Sequence, residues 1–465
     1  MRWVACSDIE WDDVDIGVDL AIHDGWCRDP SVPDDVDEVG FIGCFEDLDR
    51  AHLERRLRSE GFDPLGVPVV LLTDVDRASA TRVGARVASA AARVAEYRGC
   101  GPEHLKPVMP AVVSRRSFLA FRSPAYRVVP YPDDSCGAAD GCRACVAACP
   151  HGAIDWSRGS ITQDRLSCAG CGRCVAACPV AAMVNPSFTP EQLNAEIAAI
   201  GREVDRFGVV LHCARGTAQA PPVGWYNVAL PCVGMILPHW VLAPLSLGAA
   251  AVSVSACGCG KEPDANERSR SAVAFARLWL TLSGIAAEPL IVDKPSDTLP
   301  TPLDLRVQAS AFGAGGAAAM AEALAGEPVR GDASPLGLVT IDDATCTGCE
   351  MCATVCPSDA LRSVPDDGVL RIEFDPASCT ACGQCVDRCP EPGALTLGGV
   401  VDAAALELGK RTVVTHQLVR CVKCGESVAP AAALDRVAAA LGDQPAILKQ
   451  ITSVCLDCRG TAMVF

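Results

Sequence analysis

The sequence predicts a multidomain protein that combines α/β and α+β domains, and three observations support this prediction. The chain has 465 residues, which is long enough for several domains, and 50% of them are hydrophobic. Short β-branched runs alternate with helical patterns in two regions, which indicates parallel sheets covered by helices. The 28 cysteines are grouped at metal-binding spacings rather than scattered as in a disulfide framework.

The order of these patterns predicts five domains and two linkers. The first linker is rich in proline and basic residues, and the second in Gly, Pro and Ser. The predicted segments are an α/β domain (1–100), a linker or extended arm (101–130), a cysteine-rich domain (131–190), a middle α/β domain (191–325), a linker (326–337), a second cysteine-rich domain (338–400) and a small four-cysteine domain (411–465).

The most specific motif is C-x2-C-x2-C-x3-C-P, which occurs twice between Cys346 and Pro390. At this spacing three thiolates of each run point into one site, and the fourth belongs to the other site. Zinc sites normally have pairs of cysteines and lack the third closely spaced cysteine and the final proline of this motif. The motif therefore argues against zinc and against cysteines that are merely buried. The two predicted sets are Cys346, Cys349, Cys352 and Cys389, and Cys379, Cys382, Cys385 and Cys356.

A second copy of the motif lies in residues 142–179, and its first run is irregular. Five residues separate Cys136 from Cys142, where the regular spacing has two. Gly137 and Gly141 make this loop flexible enough to close, although a three-thiolate site or a different fourth ligand is the alternative. The predicted sets are Cys168, Cys171, Cys174 and Cys149, and Cys142, Cys145, Cys178 and Cys136.

Both cysteine-rich domains resemble bacterial-type ferredoxins that carry two [4Fe-4S] clusters. The resemblance rests on the paired motifs and covers about 60 residues in the second domain. It implies two ferredoxin-like domains that flank the middle domain, with four [4Fe-4S] clusters in all.

The middle domain has three β-branched runs that end in cysteine, at residues 207–213, 225–232 and 250–257. The carboxyl ends of parallel strands line one edge of a sheet, where ligands bind. Cys213, Cys232, Cys257 and Cys259 are therefore expected to converge there, with reduced buried cysteines as the alternative. The pattern resembles the small iron-sulfur (delta) subunit of methyl-viologen-reducing hydrogenases, which implies a [2Fe-2S] cluster. It departs from that family in its C-G-C pair and in lacking extra cysteines at the first strand.

In the first domain, the runs 39–45 and 68–74 predict buried strands, and 49–60 and 77–98 predict helices. This order resembles the N-terminal region of the heterodisulfide reductase A subunit, with Cys44 at that family's strand-end cysteine. Cys6, Cys27, Cys44 and Cys100 either hold one more cluster or are small buried residues.

The C-terminal domain contains two C-x2-C pairs, Cys421 with Cys424 and Cys455 with Cys458. Two such pairs form a tetrahedral four-thiolate site, as in zinc ribbons, although the insertion between them is longer than usual. A zinc ion is the first expectation, and a further iron-sulfur cluster is the alternative.

Charge and hydropathy exclude other classes of protein. The net charge of −17 argues against nucleic-acid binding. Residues 228–256 are largely apolar, but three prolines interrupt them, so we expect buried elements rather than a membrane span. The start of the sequence shows no signal-peptide pattern, which favours the cytoplasm. No convincing flavin or nicotinamide fingerprint is present.

Together these features predict a soluble electron-transfer subunit without a catalytic site of its own. The resembled families suggest a hydrogenase, a formate dehydrogenase or a heterodisulfide-reductase-like complex as partner. One alternative is a catalytic reductase with an open cluster at Cys213, Cys232, Cys257 and Cys259. The other is a redox-sensing regulatory protein.

Overall fold

The structure is a computed structural model, and it describes residues 1–6, 20–23, 39–44, 50–59, 61–72, 76, 79–108, 125–215, 220–260, 264–292, 295–307, 312–313, 315–442 and 451–460. The chain divides into two compact units. The first unit comprises Met1–Cys136, Cys145–Asp155 and Ile161–Ala323. The second comprises Gly137–Ala144, Trp156–Ser160 and Leu324–Phe465.

The first unit begins with a four-stranded parallel sheet in the order β2-β1-β3-β4. Leu53 and Leu57 lie one turn apart on a helix and are fully buried against Phe41 of this sheet. The two strands and two helices that the sequence predicts in this region are present within the described residues. The elements are β1 (Arg2–Cys6), β2 (Leu20–His23), β3 (Val39–Cys44), α1 (Arg50–Ser59), β4 (Val69–Leu72) and α2 (Ala80–Ala95).

Short elements follow between residues 105 and 184. β5 pairs antiparallel with β6, β7 pairs antiparallel with β10, and β8 and β9 form a two-stranded sheet. The predicted linker 101–130 therefore contains two strands, while residues 109–124 lie outside the described residues. The elements are β5 (Leu105–Val108), β6 (Ala125–Val128), β7 (Tyr131–Pro132), α3 (Ala144–Ala148), β8 (Ile154–Ser157), β9 (Ser160–Gln163), α4 (Arg173–Ala176) and β10 (Met183–Val184).

The middle sheet is parallel, as the sequence predicts, with the order β12-β11-β13-β14. Thr189 caps the first helix of this region through a reciprocal capping box with Gln192. The elements are α5 (Pro190–Glu203), β11 (Gly208–Cys213), β12 (Trp225–Leu230), α6 (Pro238–Ser246), β13 (Ala251–Val254), α7 (Ala265–Leu282), β14 (Leu290–Val292) and α8 (Gly316–Ala323).

The largely apolar stretch of residues 228–256 is explained by its burial inside this α/β domain. Every residue of α6 from Pro238 to Leu245 is buried, and all four residues of β13 are buried as well. A strand covered on both faces reads as a continuous apolar run. Within the described part of the chain, no helix has the length and apolar character needed to cross a bilayer.

The second unit contains two antiparallel sheets, in the orders β15-β19-β16 and β17-β18-β20-β21. Leu361, Leu370, Ile372 and Phe374 lie in its buried core. The strands are β15 (Val329–Arg330), β16 (Gly337–Ile341), β17 (Leu361–Asp366), β18 (Val369–Phe374), β19 (Leu395–Val401), β20 (Arg411–Arg420) and β21 (Ser427–Pro430). The helices are α9 (Met351–Thr354), α10 (Gln384–Arg388), α11 (Ala403–Glu407), α12 (Ala431–Leu441) and α13 (Leu456–Gly460).

Strand β20 links the C-terminal segment to the second cysteine-rich domain. The sequence predicts a separate domain from residue 411, but β20 pairs antiparallel with β18 of the preceding domain. Val414 and His416 are buried and alternate with exposed neighbours, which is the period of a strand with one face on a core. The metal-binding segment therefore follows directly from this sheet.

Candidate metal centres

One predicted thiol set of the first unit lines a single cavity with about 380 Å³ of empty space, part of it open to solvent. Cys168 and Cys171 lie in the turn before α4, Cys174 lies on α4, and Cys149 follows α3. The backbone N–H of Gly170 donates to Cys168 Sγ at 3.3 Å, and a second backbone N–H donates to Cys149 Sγ at 3.3 Å. Such N–H···S bonds stabilise negative charge on a thiolate.

The second unit contains two cavities of the same kind, with about 370 Å³ and 310 Å³ of empty space that is likewise partly open to solvent. Each cavity is lined by the four cysteines that the paired motif predicts: the first three cysteines of one run and the last cysteine of the other run. The first is lined by Cys346, Cys349, Cys352 and Cys389, and the second by Cys379, Cys382, Cys385 and Cys356.

The thiols of these cavities surround more space than a single metal ion occupies. The described residues contain two groups of three or more metal-ligating side chains whose ligand atoms all lie within 4.8 Å of one another. Neither group is in one of the three cavities, so the sulfurs that line the cavities are farther apart than this. The cavities are otherwise lined largely by apolar and backbone groups, such as Ile341 and Leu395 in the 370 Å³ cavity. This donor set fits an iron-sulfur cluster, whose bridging sulfides keep the thiolates apart.

Burial makes these thiols difficult to ionise without a metal. Desolvation, together with the charge of neighbouring thiolates, raises the pKa of Cys352 and Cys385 to about 12 and that of Cys379 to about 11. Desolvation also raises the pKa of Cys174. A metal ligand must be deprotonated, so iron would supply the positive charge that these thiolates need.

The fourth predicted set, which consists of Cys142, Cys145, Cys178 and Cys136, includes cysteines of both compact units. Cys145 and Cys178 lie in one buried cluster with Met183 in the first unit. Burial raises the pKa of Cys178, and the charge of Cys136 adds to this effect. Cys142 belongs to the second unit, so the grouping of these four thiols stays a prediction.

The strand-end cysteines of the middle sheet converge. Cys213 ends β11, Cys232 follows β12 and Cys257 follows β13, and their three sulfurs lie within 4.8 Å of one another. The sulfur of Cys259 does not lie within 4.8 Å of all three of these sulfurs, but it is 3.1 Å from Cys257 Sγ. The structure therefore gathers three of the four predicted thiols and places the fourth beside one of them.

Local contacts hold this group in place. Asn266 accepts from the backbone N–H of Cys257 at 2.6 Å and donates to its carbonyl oxygen at 3.2 Å. The N–H of Gly234 donates to Cys232 Sγ at 3.4 Å. The Cys232 thiol, acting as hydrogen-bond donor, lowers the pKa of Cys213 well below its ordinary value.

The two C-terminal pairs form the tightest group of four. Cys421, Cys424, Cys455 and Cys458 offer sulfurs that all lie within 4.8 Å of one another, and Cys424 Sγ is 3.5 Å from Cys455 Sγ. A Zn–S bond of about 2.3 Å in a tetrahedron places sulfurs about 3.8 Å apart, which this arrangement fits. The backbone N–H of Cys455 lowers the pKa of Cys421 to about 6.

His416 is a candidate site residue that the sequence did not reveal. Its Nε2 lies 3.3 Å from Cys346 Sγ, and only 7% of the residue is exposed. Burial lowers the pKa of His416, so the ring is neutral near pH 7 and Nε2–H can donate to a thiolate. Gly348 has φ +67°, and a Cβ at this position would lie 2.8 Å from the His416 ring. The ring can approach the thiol because residue 348 is glycine.

The N-terminal cysteines are only partly described. Cys6 and Cys44 end the neighbouring parallel strands β1 and β3, so their backbones lie at the same edge of the sheet. Their side chains, and all of Cys27, lie outside the described residues. Cys100 is half-buried, and burial raises its pKa to about 11. A cluster held by these four cysteines stays a prediction.

Comparison with known proteins identifies two segments. Residues 138–182 and residues 338–390 each match the family model of a 4Fe-4S dicluster domain. No curated protein matches the chain. Two 4Fe-4S dicluster domains, together with the two compact thiol groups, indicate an iron-sulfur electron-transfer protein.

Proposed function

We propose that the chain is a multi-cluster subunit that relays single electrons within a larger cytoplasmic oxidoreductase complex. The observation that carries the proposal is the set of three cavities, each lined by four thiols in the order that the paired motif predicts. Two of these cavities lie in one dicluster segment and the third in the other. Several cluster sites in one chain are typical of an electron relay.

The ligands follow from the thiol sets. Four [4Fe-4S] clusters would be held by Cys346, Cys349, Cys352 and Cys389; by Cys379, Cys382, Cys385 and Cys356; by Cys168, Cys171, Cys174 and Cys149; and by Cys142, Cys145, Cys178 and Cys136. A [2Fe-2S] cluster would be held by Cys213, Cys232, Cys257 and Cys259, and one zinc ion by Cys421, Cys424, Cys455 and Cys458. Bound clusters would supply one-electron carriers.

The chain's own contribution is to hold and tune these groups. Four cysteines at each of the three cavities would fix the position of a cluster, and the rest of each lining is largely apolar. Hydrogen bonds to sulfur stabilise the more negative, reduced state, and His416 Nε2, 3.3 Å from Cys346 Sγ, is placed to donate one in the tautomer that carries its proton on Nε2. The partner would be a hydrogenase, a formate dehydrogenase or a heterodisulfide-reductase-like complex, as the resemblances of the middle and N-terminal domains suggest.

The experiment that tests this proposal is the measurement of iron, acid-labile sulfide and zinc per chain in protein purified without oxygen. We expect about 18 Fe and one Zn, with a [2Fe-2S] EPR signal in the reduced protein. About 16 Fe without a [2Fe-2S] signal would remove the middle domain from the relay. Iron without matching sulfide would contradict the relay as a whole.

A further inference from the structure

Arg215 spans two thiol sites of the first unit. Its Nη1 donates to the carbonyl oxygen of Ala169 at 2.8 Å, and its Nε donates to that of Pro231 at 3.2 Å. Ala169 lies in the turn that carries the first cysteines of the 380 Å³ cavity, and Pro231 directly precedes Cys232. One guanidinium group therefore contacts the backbone of both sites.

Arg127 supports the same arrangement from β6. Its Nη1 donates to the Ala169 carbonyl oxygen at 3.1 Å, so two guanidinium groups share one acceptor. Burial lowers the pKa of Arg127, and the positive charge of Arg215 lowers it further. Thiolates of both sites oppose this effect, Cys168 in the cavity and Cys259 and Cys213 in the middle sheet.

The negative neighbours of Arg215 are also thiols. The thiol groups of Cys232, Cys259, Cys213 and Cys171 lie close enough to interact electrostatically with its guanidinium group. Within the described ranges, neither Arg215 nor Arg127 has a carboxylate at salt-bridge distance. The buried Nη2 of Arg215 has no hydrogen-bond partner there either. Arg173 nearby differs, because its Nη1 lies 3.0 Å from both carboxylate oxygens of Asp264.

The two sites are in direct contact. Cys171 and Cys232 belong to one buried cluster with Ala265, and Cys257 packs against it. Gly172, at the start of α4, has φ +78°, and a Cβ at this position would lie 2.7 Å from Met235 Sδ. The positive φ and this close contact both favour glycine where α4 approaches the turn that follows Cys232.

Two adjacent, partly buried arginines without a carboxylate need another source of negative charge. Four thiolates outweigh the positive charge of an iron-sulfide core, so a cluster at either site would be anionic. Reduction adds one more negative charge, and a fixed cation stabilises the reduced state more than the oxidised state.

We propose that Arg215, supported by Arg127, is a shared tuning residue that raises the reduction potentials of clusters at both sites. The sites concerned are the set of Cys149, Cys168, Cys171 and Cys174 and the set of Cys213, Cys232, Cys257 and Cys259. Arg215 acts through its charge and is not a ligand. This inference rests on the proposed function, and it adds which two sites are coupled and which side chain couples them.

The test is an EPR-monitored titration of the full chain with dithionite, on wild type and on Arg215→Gln, Arg127→Gln and Arg215→Lys. Arg215→Gln is expected to lower two midpoint potentials, one from a [2Fe-2S] and one from a [4Fe-4S] signal. For each of the two clusters, the ratio of reduced to oxidised form at a fixed potential should fall about tenfold, which corresponds to about 59 mV for one electron. Arg127→Gln should shift the same two signals by less, and Arg215→Lys should restore most of the wild-type values.

The matched control is Arg277→Gln. Arg277 also donates to a carbonyl oxygen, that of Leu290, at 2.8 Å and 3.2 Å, but it lies on α7 away from the thiol sites. Unchanged potentials in Arg215→Gln, or a shift of one signal alone, would overturn the shared role. If Arg215→Gln loses iron, Arg127→Gln decides, because it must lower both midpoint potentials for the shared role to stand. Wild type without a [2Fe-2S] signal would contradict the proposed function of the middle site instead.

Discussion

Replacing Cys455 with serine is expected to unfold the segment from Cys421 to Gly460 and to release its metal ion. The buried cluster of this segment consists of Cys421, Val454 and Cys455, with Val428 and Cys458 packed against it. Most of its members are thus thiols of the site itself. Binding of structural zinc contributes about 10–16 kcal/mol in zinc-finger peptides, whereas burial of one valine contributes about 1.5–3 kcal/mol.

Zinc content and amide hydrogen exchange measure this effect. In Cys455→Ser we expect less than one tenth of the wild-type zinc and loss of exchange protection in β21, α12 and α13. Strand β20 should keep its protection, because its hydrogen bonds to β18 do not depend on the metal. Val422→Ala is the matched control, since Val422 lies between two of the cysteines but is 74% exposed. Wild-type protection of α12 and α13 in Cys455→Ser would contradict a metal-stabilised segment.

Replacing Cys232 with alanine is expected to abolish cluster binding in the middle domain. Cys232 is fully buried, and it belongs to the group of three sulfurs within 4.8 Å. Its removal leaves three thiols for a cluster that takes four, and it also removes the donor that lowers the pKa of Cys213. We expect about two fewer iron atoms per chain and loss of the [2Fe-2S] signal.

Iron, sulfide and EPR spectra of the reduced protein measure this second effect. Met235→Leu is the matched control, because Met235 is buried in the turn after Cys232 and leucine has a similar volume. The [4Fe-4S] signals of the second unit should be unchanged in both variants. Wild-type iron content in Cys232→Ala would show that the strand-end thiols hold no cluster.

The cysteine motifs are the part of the site that could be predicted from the sequence. Spacing within a run is local, so the turn geometry that directs three thiols into one cavity follows from adjacent residues. The convergence of Cys213, Cys232 and Cys257 was also predictable, because each ends a strand of a parallel sheet. The position of Cys259 was not, since it depends on the path of the loop beyond Cys257.

The residues around the thiols were not predictable, because they come from distant parts of the chain. His416 reaches Cys346 only because β20 pairs with β18, and no spacing in the sequence indicates this pairing. Arg127 lies in a segment whose composition predicts a linker, yet it forms part of β6. Arg215 follows a strand-end cysteine, but its two carbonyl acceptors lie 46 and 16 residues away. Long-range contacts of this kind leave no local pattern.

The most direct test of the electron relay is a stepwise reductive titration of the full chain, followed by reoxidation with a one-electron acceptor protein. With one electron for each of four [4Fe-4S] clusters and one [2Fe-2S] cluster, we predict that the chain takes up about five electrons. We also predict that it returns all of them to the acceptor within a single kinetic phase. Uptake of one or two electrons, or retention of most of them in the presence of the acceptor, would contradict the relay.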